Sequence, residues 1–128
     1  MIVIGPVSEL AIHIAIWYWL IINIKPDWRA WHSANGERHG DPRQGAKLKA
    51  MGVVKGAPDL TLVGPTGRVC FMEIKSETGA LSADQEDWML WCIRHNISHS
   101  VCRSLDDAQK VLRHWGCIKE LTAQDAQS

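Results

Sequence analysis

The chain carries no net charge: 14 lysines and arginines offset 14 aspartates and glutamates. A global electrostatic argument for or against a polyanionic partner is therefore excluded, and the distribution of charge has to decide. Cysteine is sparse. Cys70, Cys92, Cys102 and Cys117 are spaced too widely for a zinc knuckle, and the six histidines form no paired pattern with them. Reduced, packed thiols are expected. A long apolar run is also missing. The stretch from Leu10 to Ile22 contains His13 and adjoins Asn23 and Lys25, whereas a membrane span needs about 20 apolar residues. A buried helix is expected there, and no membrane partner. The apolar N-terminal stretch has neither a basic leader nor a small-residue processing site, so no cleavable signal peptide is expected and the cytoplasm is the expected compartment.

What is present suffices for one core. With 128 residues and 46% hydrophobic content, residues 1–118 read as a single α/β domain and 119–128 as a polar tail. A first helix is expected from about Pro6 to Asn23, with Pro6 near its first turn and Ser8 and Glu9 on its early polar side. It is nearly apolar all round, which places it in the core or under a partner subunit. Trp28 to Ser33 alternates as a strand, and Asn35-Gly36 follows as a turn. Residues 37–52, rich in glycine and charge, read as a mobile loop or short helix. Ser82-Ala-Asp-Gln85 has capping-box spacing and opens a helix to about Asn96, with Trp88, Trp91, Cys92 and His95 on one stripe. Ser98 to Arg103 is a short strand. Ser104 then caps a last helix that buries Ala108, Val111, Leu112 and Trp115 and stops at Gly116.

The middle of the chain carries the chemistry. Asp59 to Val63 and Val69 to Lys75 read as strands joined by Gly64-Pro-Thr-Gly67, which is strong turn chemistry. If Asp59 lies opposite Glu73, Val63 lies opposite Val69 and the remaining loop has an ordinary hairpin length. Facing side chains in an antiparallel pair have Cβ atoms about 5 Å apart, so two facing carboxylates repel unless something positive lies between them. A divalent cation is the obvious candidate. By strand alternation Lys75 shares a face with Glu73, while Cys70, Met72 and Ile74 take the other. A turn cap at Asp59 and an exposed Glu73–Lys75 ion pair would also account for these residues.

The surrounding motifs separate the two accounts. Gly52-Val-Val-Lys-Gly-Ala-Pro-Asp59, Glu73-Ile-Lys75 and Gly79-Ala-Leu-Ser-Ala-Asp-Gln85, in this order, resemble the VRR-NUC (virus-type replication-repair nuclease) branch of the PD-(D/E)xK nuclease superfamily, over roughly residues 5–116. The resemblance implies a restriction-endonuclease-like core, a mixed central sheet flanked by helices. It implies Asp59, Glu73, Lys75 and Gln85 as catalytic residues. The metal set would be Asp59, Glu73, the Ile74 carbonyl and a first-helix glutamate, for which Glu9 is the acid available, although an acid in the first turn also suits the helix dipole. Gln85 is equally accounted for by its cap. Mg²⁺ or Mn²⁺ is the implied cofactor, and in-line attack leaving a 5′-phosphate and a 3′-hydroxyl the implied reaction.

The charge pattern is compatible with a polyanion substrate. From Lys25 to Lys55, seven cations (Lys25, Arg29, Arg38, Arg43, Lys47, Lys49 and Lys55) face three acids, whereas from Glu73 to Asp87 five acids face Lys75 alone. Lys55, Arg38, Arg43, Lys47 and Lys49 are the expected DNA contacts, each of which also reads as a solvated loop charge. Trp88, Trp91 and Trp115 have core spacing, while Trp28 and Trp31, near the basic segment, could stack on unpaired bases. Stand-alone domains of this type resemble viral and bacterial Holliday-junction resolvases that act as homodimers. The resulting expectation is a metal-dependent, structure-selective DNA endonuclease acting on branched DNA, in a bacterial or phage-infected cytoplasm. A monomeric flap or nicking nuclease and a non-catalytic DNA-binding accessory module are the alternatives.

Overall fold

Ser8 sets the start of the first helix. Its backbone is extended, at φ −67° and ψ 153°, and its hydroxyl accepts the Ala11 N–H at 3.1 Å. The helix α1 therefore spans Glu9–Asn23, three residues shorter at the front than Pro6 suggested, with Glu9 in the first turn. In the computed structural model, which describes residues 5–33 and 42–119, α1 is followed by β1 (Arg29–His32), α2 (Pro42–Ala50), β2 (Leu60–Val63), β3 (Val69–Ile74), α3 (Ala83–Arg94), β4 (Ser98–Cys102) and α4 (Leu105–Trp115). Asn35-Gly36, Arg38 and the tail beyond Lys119 lie outside the described residues. The glycine- and charge-rich stretch forms a helix from Pro42 onward.

The four strands form one mixed sheet in the order β1-β2-β3-β4. The first two pairings are antiparallel, and β3 pairs with β4 in parallel. The hairpin register is the one its turn chemistry predicts, with Val63 opposite Val69 and Leu60 opposite Met72. Continued by one residue, that register sets Asp59 against Glu73. Leu60, Leu62, Cys70, Met72 and Ile74 face a core completed by Ile12, Ile16 and Leu20 of α1 and by Ala108, Leu112 and Trp115 of α4. The opposite face of β3 meets α3, where Phe71 packs edge-on against Trp88 with centroids 5.7 Å apart. All four cysteines are free and buried, as expected.

Three aromatic or apolar assignments change. Trp28 is buried, packed so closely under the hairpin turn that a Cβ on Gly64 would come within 2.5 Å of its ring, and Arg68 lies 5.8 Å above it. It is a core residue and has no face open to a base. Trp91 is 45% exposed and packs between Trp88 of α3 and His95 at the helix end. Helical spacing put it on the Cys92 stripe, but α3 covers a narrow strip of sheet and its flank remains in water. Val111 of α4 is half-buried at the edge of the core. The α3 helix also ends at Arg94, two residues early, because Asn96 takes a left-handed φ of 57°.

Gly56 connects the sheet to α3. It is buried at φ +83°, and a Cβ there would sit 2.5 Å from the Asp84 Cβ in the first turn of α3. Gly56→Ala is expected to cost about 1–3 kcal/mol from backbone strain alone, before any clash. Urea unfolding of the variant against the parent checks this, and an unchanged midpoint would contradict it.

Candidate active site

Asp59 sits where β2 and β3 begin to part. There the next rung of the ladder is made by a side chain: the Ile74 N–H donates to Asp59 Oδ2 at 2.7 Å. The Asp59 carbonyl accepts from the Ser33 N–H at 2.9 Å and from His32 Nδ1 at 2.8 Å. Backbone and carboxylate are thus both fixed, and the residue is 6% exposed. Glu73, one residue before Ile74, is 2% exposed. Its Oε1 accepts from Gln85 Nε2 at 3.2 Å, and its Oε2 is buried with no donor to accept from among the described residues. Gln85 serves two purposes. Its Oε1 accepts the Ser82 N–H at 2.9 Å in a complete capping box, while its amide nitrogen holds Glu73.

Two carboxyl groups so close cannot both stay charged without help. Burial first, then a hydrogen bond and the charge of Asp59, push the Glu73 carboxyl up to about 10, with Lys75 pulling the other way. Lys75 is 8% exposed, and its Nζ lies 3.8 Å from Glu9 Oε1. The first-turn acid of α1 thereby reaches the same end of the sheet as Asp59, Glu73, Lys75 and Gln85. Ile74 follows Glu73 directly and is buried with the core. An exposed Glu73–Lys75 surface pair is excluded, because neither residue is exposed.

The basic residues are disposed differently. Lys47 and Lys49 lie in the last turn of α2 and are exposed, as is Arg43 near its start. The Lys55 ammonium lies 3.8 Å from Asp84, with 84% of its side chain in solvent. Trp31, on β1, is 46% exposed.

The structure also gathers residues that the sequence reading passed over. His13 of α1 and His32 of β1 meet edge-on with centroids 4.7 Å apart, and each offers a ring nitrogen within 4.8 Å of an Asp59 carboxylate oxygen and of the other. In sequence the histidines show no pairing with the cysteines, and their partner here is an acid. His13 lies one helical turn after Glu9, which was the available signal. His32 comes nineteen positions later, so no local pattern links the two.

A mixed sheet covered on both faces, with an acidic pair and a buried lysine where two strands part, is compatible with a nuclease-type α/β core. Residues 26–106 match the VRR-NUC domain, and the chain belongs to that nuclease family. The matched segment contains Asp59, Glu73, Lys75 and Gln85 but begins after α1, so Glu9 and His13 lie upstream of it. No curated protein and no solved structure matches the chain. Among the described residues, no helix is long and apolar enough to cross a membrane.

Proposed function

We propose that the protein is a Mg²⁺- or Mn²⁺-dependent DNA endonuclease selective for branched structures, acting as a homodimer in the manner of a junction resolvase. The observation that carries the reading is the buried Asp59–Glu73 pair with the orphaned Glu73 Oε2. A buried oxygen without a donor, beside a second carboxyl, fits a hard divalent cation, whose ligands are oxygens. Asp59, Glu73, the Ile74 carbonyl and Glu9 are the residues that would hold it. When bound, the cation supplies charge neutralisation and polarises the phosphodiester.

The remaining work falls to the chain. The Ile74 N–H and Gln85 fix the two carboxyl groups, so that neither has to reorganise when substrate arrives. The Lys75 ammonium, held close by Glu9, orients a water for in-line attack on phosphorus and offsets the negative charge that gathers on the phosphoryl oxygens. Lys47, Lys49, Lys55 and Arg43 are suited to phosphates flanking the scissile bond, where each contact adds affinity without sequence preference.

The outer face of α1 supports a second copy. Leu10, Ile21 and Ile22 are 69%, 47% and 68% exposed, an apolar surface of the kind monomers seldom leave in water. Replacing Ile22 by Glu is expected to shift the protein from dimer to monomer on light scattering and to abolish paired incision. A parent that is already monomeric would favour a flap or nicking nuclease instead.

Cleavage of labelled four-way junction, flap, single-stranded and duplex DNA tests the reading, with Mg²⁺, Mn²⁺ or EDTA and with Asp59→Ala alongside. Paired cuts in the junction that need a divalent ion and Asp59 are the expected result. Binding without cutting under either metal would leave a DNA-binding accessory module.

A further inference from the structure

The His13, His32 and Asp59 cluster has no part in the hydrolysis just described, yet its donor atoms converge from three separate elements. We propose that His13, His32 and Asp59 form a second cation site, one that takes a borderline divalent ion of the zinc and cobalt class in preference to Mg²⁺. The inference goes beyond the nuclease reading and does not require it, although the two sites share the Asp59 carboxylate.

Three observations bear on it. The three ligand atoms lie within 4.8 Å of one another, a spacing that one ion at the centre of the triangle would satisfy with small side-chain movements. His32 is oriented from behind: its Nδ1 lies 2.8 Å from the Asp59 carbonyl oxygen. A carbonyl can only accept, so Nδ1 carries the proton and Nε2 keeps the lone pair, as in metal-bound histidines held by a backbone carbonyl. Finally, the two imidazoles open into a groove of about 350 Å³ bordered by Ile14, Trp17 and Tyr18. The groove gives an ion a way in and leaves room for water or a phosphate oxygen as further ligands.

The donor set decides which ion. Two imidazoles and one carboxylate suit zinc-class ions, and three protein ligands with an open position is the arrangement of catalytic rather than structural zinc. Mg²⁺ gives up its water reluctantly and takes oxygen ligands. Edge-on packing of two histidines would account for the ring contact at 4.7 Å. It would not account for both rings converging on the same carboxylate.

The test uses Co²⁺ as the probe and the whole chain, followed by visible absorption and proton NMR. One equivalent of Co²⁺ is expected to produce contact-shifted imidazole N–H resonances that persist in excess Mg²⁺ and vanish when Zn²⁺ is added. His13→Ala and His32→Ala should each weaken Co²⁺ binding by at least about 100-fold and remove the shifted signals. His13→Gln and His32→Gln serve in place of any alanine variant whose circular dichroism shows a fold defect. Glu73→Gln should retain the imidazole signals, which separates this site from the nuclease centre. Co²⁺ bound without imidazole signals, affinity unchanged in both histidine variants, or displacement by Mg²⁺ would each overturn the proposal.

Discussion

Lys75→Ala is expected to lower cleavage by at least about 10³-fold while the protein folds and binds Mn²⁺ as tightly as before, or more tightly. The lysine is 8% exposed and sits at the end of β3, where its charge opposes the upward shift of Glu73. Its removal takes a cation away from the place a metal would occupy, so metal affinity has no reason to fall. The Glu9 carboxylate that loses its partner is 43% exposed, and water can replace the ammonium. Lys75→Arg should not rescue activity, because a planar fork does not fit where a compact ammonium is enclosed. Single-turnover cleavage of the junction, with Mn²⁺ calorimetry on the same preparations, checks both halves. A variant that cuts at the parental rate would remove Lys75 from the mechanism. One that also loses Mn²⁺ would make the lysine structural.

Glu73→Gln is expected to abolish metal-dependent cleavage and yet to stabilise the metal-free fold at neutral and alkaline pH. The Glu73 carboxyl stands near 10 in the folded protein against an ordinary value of 4.5. The folded state therefore keeps a proton that the unfolded chain releases. Stability is fully present below about 4.5 and is lost progressively as pH rises toward about 10. Glutamine cannot ionise, so the variant should lack this part of the slope. Thermal midpoints in EDTA across that range should converge at the acid end and separate increasingly in favour of the variant as pH rises. Mn²⁺ should reverse the order, because it binds the ionised carboxylate of the parent. Parallel midpoint curves would mean that Glu73 is not the strained acid of the site.

The placement of Asp59 against Glu73 could be read from sequence while the energetics of the pair could not. The register that sets Asp59 against Glu73 follows from the turn chemistry of Gly64 to Gly67 and from the alternation of Cys70, Met72 and Ile74, all of it local. The cap role of Gln85 was equally legible in Ser82-Ala-Asp-Gln85, whereas the hydrogen bond from its amide to Glu73 was not. Burial was not legible. Nothing in Glu73-Ile-Lys75 distinguishes an exposed ion pair from two enclosed charges. The difference arises where α3 and the first turn of α1 close over the end of the sheet.

Trp28 and Trp91 show the same boundary from the other side. Each was assigned by the company it keeps in sequence, Trp28 by nearby cations and Trp91 by helical spacing, and each lies in the opposite environment. Which flank of a helix is covered, and which ring slides under a turn, depends on elements distant along the chain.

By itself the sequence determined the hairpin and its register, the caps that start α3 and α4, and a motif order sufficient to indicate the VRR-NUC family, because those signals act over a few residues. The tertiary structure alone decided that Glu73 and Lys75 are buried, that Glu9 reaches Lys75, and that His13 and His32 converge on Asp59. Those contacts join residues from separate elements, and only packing brings such residues within a few ångströms.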